Sequence, residues 1–192
     1  ATGTDFVEIY NRSEKVLDMK NLWLATRDAT TGELASAKET APDGRLVFPG
    51  EYLVLTADAG AVQAEYFSPV PGAFVQMESL PSFSNEEGTV VLLTPLLEVV
   101  DEFSYYAGLH FALLNSTKGI SLERIDFNRP TNDRTNWHSA AKDVGYATPA
   151  YKNSQYLDAG ETENPIGITP EVFSPDEDGY NDVVNINYHF DQ

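Results

Sequence analysis

The strongest constraint on this chain is an alternation of period two. "DFVEIYN" (5–11) sets Val7 and Ile9 on one face and Phe6, Glu8 and Tyr10 on the other, the pattern of a strand. The same alternation returns in "NLWLAT", "EYLVLTA", "TVVLLT", "EVVDEFSYY" and "ISLERIDF". Between these runs lie "NRSEK", "DATTGE", "APDG", "FPGE", "SPVPG", "SNEEG" and "NRPTND", all dense in residues that favour turns. One segment has helical spacing: "DAGAVQAEYF", with Asp58 as its N-cap and room for about three turns at most. Strands at such intervals, with so little helix, predict an all-β fold. The expected architecture is an immunoglobulin-like β-sandwich with at most one short helix, in a domain spanning 1–148. Trp23, Leu53, Leu55, Val91, Leu93, Leu122 and Ile125 are its expected core.

After Tyr146 the texture changes. "ATPAYKNSQYLDAGETENPIG" has no apolar periodicity, and residues 149–167 read as a linker. Residues 168–192 then carry a turn and an isolated strand of their own. Val184, Ile186, Tyr188 and Phe190 make one face of that strand strongly apolar. A lone ribbon is unstable in water, so 183–190 is expected to add by β-augmentation to an edge of the sandwich beside "DFVEIYN". The edge is the chain's own or a neighbour's, in a strand-exchanged homodimer.

Composition narrows the partners. At 192 residues the chain can bury one full core and a small appendage. Thirty acidic residues against 12 basic give a net charge of −18, which repels phosphate backbones and anionic headgroups. Nucleic acid is therefore not an expected partner. No apolar run approaches the roughly 18 residues needed to span a bilayer, so direct membrane insertion is not expected. With no cysteine, disulfides, thiolate metal sites and cysteine nucleophiles are excluded.

No catalytic motif stands out. "GISLE" (119–123) lacks the second glycine of a nucleophile elbow. His110, His138 and His189 have no metal-ligand spacing, and Glu86–Glu87 and Asp101–Glu102 point to opposite faces of their strands. The chain reads as a non-enzyme.

Two groups of residues could nevertheless bind something. Ser174, Asp176, Asp178 and Asp182 surround Gly179 in "SPDEDGYND", but Asn185 stands where a calcium loop needs its bidentate Glu. A hydrogen-bonded turn is the first reading and a Ca²⁺ site the second; no other cofactor is expected. In "SLERIDFNRPTNDRTNW", Leu122 and Ile125 cannot share one face of a regular strand. A bulge or strand end near Arg124 is expected, with Glu123 and Arg124 leaving the strand together and Trp137 presented from a loop. Trp137 is read first as a cap on the open end of the sandwich. The second reading is a ligand platform of Trp137 with Tyr105 or Tyr106, whose adjacent rings fall on opposite faces.

In order along the chain, "FVEIYN", "NLWL", "FPGEYLVLT", "GTVVLL" and "SLERI…NW…ATPAYKNS" resemble the lamin-tail domain family in its bacterial branch, over residues 5–154. "SPDEDGYND" and the strand after it are similar to the start of C-terminal immunoglobulin-like modules of the gliding-motility-associated and flagellar-hook-capping types. The first resemblance implies one more strand before Asp5 and the second implies a further module after the end, so the chain is expected to be one domain plus a stub. Together they imply a non-catalytic scaffold or adhesion module of a larger secreted or surface-anchored bacterial protein. Its expected setting is extracellular or outer-membrane associated, and its expected partners are neighbouring domains, surface proteins or glycans. The alternatives are a carbohydrate-binding accessory domain, or the accessory domain of a hydrolase or nuclease whose catalytic part lies elsewhere.

Overall fold

The structure is a computed structural model that describes residues 4–157, 166–170, 172–176 and 181–188. Within these the regular structure is mostly strand. β1 (Phe6–Tyr10), β2 (Leu17–Asp18), β3 (Trp23–Arg27), β4 (Leu34–Glu39), β5 (Leu46–Val47) and β6 (Tyr52–Thr56) precede a short helix, α1 (Ala59–Glu65). β7 (Phe74–Gln76), β8 (Glu87–Leu93), β9 (Val99–Tyr106), β10 (Leu122–Arg124), β11 (Trp137–Ser139), β12 (Ile166–Thr169) and β13 (Asn185–Tyr188) follow. The six period-two runs become β1, β3, β6, β8, β9 and β10. Asp58 caps α1 as its side chain accepts from the Ala61 N–H at 2.9 Å.

Two sheets share the main core. One has the order β1-β6-β7 and the other β4-β3-β8-β9. Val7 and Ile9 stand opposite Leu55 and Leu53 on the first sheet. They pack with Leu24 and Val90 of the second, and with Met19, Val47 and Met77. Of the expected core, Leu53, Leu55, Val91, Leu93 and Ile125 are buried, whereas Trp23 and Leu122 are half-buried. Val91 and Leu93 face away from the shared core. They lie with Ala25 beneath Trp23 and Leu34 on the far face of the second sheet. A strand covered on both faces reads as a continuous apolar run, which is what "VVLL" is.

The far face of the first sheet is covered too. Phe6, Val54 and Phe74 pack beneath Val62 and Tyr66 of the α1 region and beneath Ala147 and Ala150. α1 itself is a crossover: β6 and β7 run parallel, and a parallel return needs a path across the sheet rather than a tight turn. Alternation alone carries no sign of this pairing.

Three expectations change here. Residues 149–157 are bonded to the domain: Leu157 N–H donates to the Ile125 carbonyl at 2.9 Å and Asn153 Nδ2 to the Arg124 carbonyl at 3.0 Å. Ile166 and Gly167, at the end of the expected linker, belong to β12. The C-terminal strand does pair, but β13 lies antiparallel to β12, with Ile168 opposite Ile186, and not along the edge beside β1. The nearest partner in sequence takes the strand. His189 and Phe190 lie outside the described residues.

Candidate functional site

Residues 147–157 form a strap over the far face of the first sheet, and two carboxylates fasten it. Glu8 shares a face of β1 with Phe6 and Tyr10, so its carboxyl turns into the layer beneath the strap. Its Oε2 accepts from the Ala150 N–H at 2.5 Å. Glu123, in the middle of β10, is 4% exposed. Its Oε1 accepts from Thr148 Oγ1 at 2.6 Å, and its Oε2 from Ser154 Oγ at 2.7 Å and the Gln155 N–H at 3.2 Å. Among the described residues no cation makes a salt bridge with either.

A carboxylate without a counterion in a buried layer holds its proton tightly. Burial raises the pKa of Glu8 to about 8. The Ala150 hydrogen bond opposes the rise and the charge of Glu123 adds to it. Burial also raises Glu123, against the hydrogen bonds from Thr148 and Ser154. Tyr52, opposite Tyr10, is raised by burial first and by Glu8 second. Both carboxyls therefore hold their protons tightly, yet among the described residues their hydrogen bonds go to the strap.

The aromatic platform is largely taken up by packing. Trp137 starts β11 rather than standing in a loop, and Glu123 and Arg124 stay in β10 opposite His138 and Trp137. The strand does end at Arg124, so Ile125 lies beyond the register that holds Leu122. Trp137 is half-buried and stacks on Phe103 at 3.7 Å between ring centroids, while its Nε1 donates to the Thr131 carbonyl at 2.7 Å. Tyr105 lies across Gly88, its strand partner, and donates to the Ser84 carbonyl at 2.6 Å. A Cβ at Gly88 would sit 2.6 Å from that phenol oxygen, so the glycine and the ring specify each other. Tyr106 alone of the three is exposed, at 38%, with the Arg134 guanidinium 5.1 Å from its ring centroid. The structure thus separates Tyr106 from the other two.

A serine–histidine contact also forms. Ser139 Oγ and His110 Nδ1 are 2.9 Å apart, a pairing that nothing in the sequence spacing announces. Ser139 is 3% exposed, its Oγ already accepts from the Phe111 N–H at 3.0 Å, and burial lowers the pKa of His110. The contact ties the turn after β9 to β11. In the acidic turn, Ser174 N–H donates to the Asn181 carbonyl at 2.9 Å and Asp176 N–H to the Ser174 carbonyl at 2.8 Å. Asp178 lies outside the described residues, and Asp182 keeps a partner of its own. Among the described residues no group of three or more acids or histidines is placed to hold a metal ion.

A separate cleft of about 420 Å³ lies between the end of α1, the loop 113–120 and the turn at 142–146. Trp137, Tyr105, Tyr106 and the described residues of the acidic turn do not line it, whereas Gly119 and Ile120 of "GISLE" do. Tyr66 spans its floor to the Gly119 carbonyl at 3.1 Å.

The strap was hidden in the sequence because it has no periodicity. Its usable signals were small: Ala147 and Ala150, which fit under a close-packed cover, and an acid, Glu8, on an otherwise aromatic strand face. No family model, curated protein or solved structure matches the chain.

Proposed function

We propose that this chain is a non-catalytic interaction module, a lamin-tail-like sandwich of immunoglobulin type serving as scaffold or adhesion unit in a larger secreted or surface-anchored bacterial protein. One observation carries the reading. Glu123, inside "SLERI", holds Thr148 and Ser154 of "ATPAYKNS", so two separated pieces of the family-like pattern meet as one structural lock. Glu8 and Glu123, the two carboxyls whose pKa burial raises, are spent on that lock, and neither lines the cleft beside α1.

Screening the purified chain with nitrophenyl esters, nitrophenyl phosphates and polysaccharides is expected to give background rates. Turnover that survives repurification and vanishes in Ser139→Ala would overturn the reading, since Ser139 has the one hydroxyl–imidazole contact described above. The second reading, a carbohydrate-binding accessory domain, is favoured at one point by Tyr106, which leaves an aromatic ring and a guanidinium together at the surface.

A further inference from the structure

Four of the six arginines in this chain gather around one loop. Arg124, Arg129 and Arg134 belong to it, and Arg12 reaches it from the connection after β1. Arg129 is paired with Asp133 at 2.7 Å, and Arg134 lies over Tyr106. Arg12 and Arg124 have no such outlet. Both donate to the same acceptor, the Phe127 carbonyl, and Arg124 also donates to the Arg129 carbonyl. The Nε of Arg124 is buried without an acceptor. Asp101 and Asp126 act on Arg124 through space, but among the described residues neither reaches salt-bridge distance.

Two guanidinium groups on one carbonyl repel each other, and an anion between them would relieve the repulsion. The planar forks of arginine suit a carboxylate or a sulfate. Beside them is a cluster of rings: Phe127 and Tyr10 are 4.6 Å apart, as are Tyr10 and Tyr52. The hydroxyls of Tyr10 and Tyr52 bond to no described residue, although both side chains are half-buried. Lys152 adds a further cation 4.4 Å from the ring centroid of Tyr156, which itself packs on Phe127.

We propose that Arg12 and Arg124, with the phenols of Tyr10 and Tyr52, form a binding site for an acidic polysaccharide, gripping a sugar ring that bears a carboxylate or a sulfate. The −18 net charge opposes the approach of any polyanion, so the grip is a contact of short range: the anion meets the guanidinium pair, and the sugar hydroxyls meet the phenols. An acidic peptide would supply the first contact without the second. The inference deepens the interaction-module reading, on which it rests, and places the ligand away from Tyr106.

The test is calorimetric titration of the whole chain with oligogalacturonate, chondroitin sulfate, neutral dextran and polyglutamate. Binding is expected for one or both acidic glycans and for neither control, and the two glycans separate carboxylate from sulfate. Arg12 is exposed and holds a single carbonyl, so Arg12→Gln should fold, as a thermal melt checks, and should bind at least about 10-fold more weakly. Tyr10→Phe should weaken binding by a smaller factor. Failure of both acidic glycans to bind, equal binding of polyglutamate, or unchanged affinity in Arg12→Gln would overturn the proposal. Shortening of the glycan during the titration would instead overturn the non-catalytic reading, and the first injections into Arg12→Gln would still decide the site.

Discussion

Glu123→Ala is expected to lower stability by about 3 kcal/mol and the melting temperature by about 10 °C. The substitution removes one side chain but strands three donors: the hydroxyls of Thr148 and Ser154 and the Gln155 N–H. Thr148 is 3% exposed, so water cannot readily replace its lost acceptor. Relief from burying the carboxyl offsets part of the loss, which keeps the figure below the sum of three orphaned bonds. Glu123→Gln keeps one carbonyl acceptor and turns an amide N–H₂ toward donors, so its cost falls between those of the wild type and the alanine variant. Thermal melts of the three proteins at one pH give the order. A Glu123→Ala protein as stable as the wild type would mean that the strap is not held through this carboxylate.

The second large effect is a loss of stability as pH rises from about 5 to 8. Glu8 titrates near 4.5 in an unfolded chain and near 8 in the folded one. Below pH 4.5 both states carry the proton, and the full contribution is present. Between the two values the folded state keeps a proton that the unfolded state has released, so each pH unit costs about 1.4 kcal/mol. Above pH 8 both states are charged and the dependence flattens. The total is a few kcal/mol, and the raised pKa of Glu123 acts with the same sign. Glu8→Gln has no proton to lose. It should therefore flatten the profile and leave the variant more stable than wild type at pH 8, although not at pH 5. Urea midpoints at half-unit steps of pH would measure both slopes. An equal slope in the two proteins would remove Glu8 as the cause.

What could be read in advance follows from the range of the interactions. β1, β3, β6 and β9 each declare themselves by alternation within a few residues, β8 by the apolar run "VVLL", and Asp58 declares α1 by a contact three residues away. The strap depends on bonds such as that from Ala150 to Glu8, 142 positions apart, made by one side chain and one backbone group. No local pattern encodes that. The same holds for Trp137: the sequence reads it first as a cap on the open end of the sandwich, but its stacking partner, Phe103, lies on another strand and has no local signal. Alternation sends Tyr105 and Tyr106 to two faces, but only packing against Gly88 decides which ring is absorbed. Arg12 has no local signal for a similar reason: it reaches the Phe127 carbonyl, which Arg124 also holds, from 115 positions away.

Amide hydrogen exchange across residues 147–157 decides whether this segment is a fastened layer of the domain or a loose tail. The Ala150 and Gln155 amides donate to Glu8 and Glu123, so at pH 6 they should exchange nearly as slowly as Leu53 and Val54 of β6, and lose that protection in Glu123→Ala. If both amides exchange in the intact chain at the rate of an unstructured peptide, the strap is not clamped and the two carboxylates have another role.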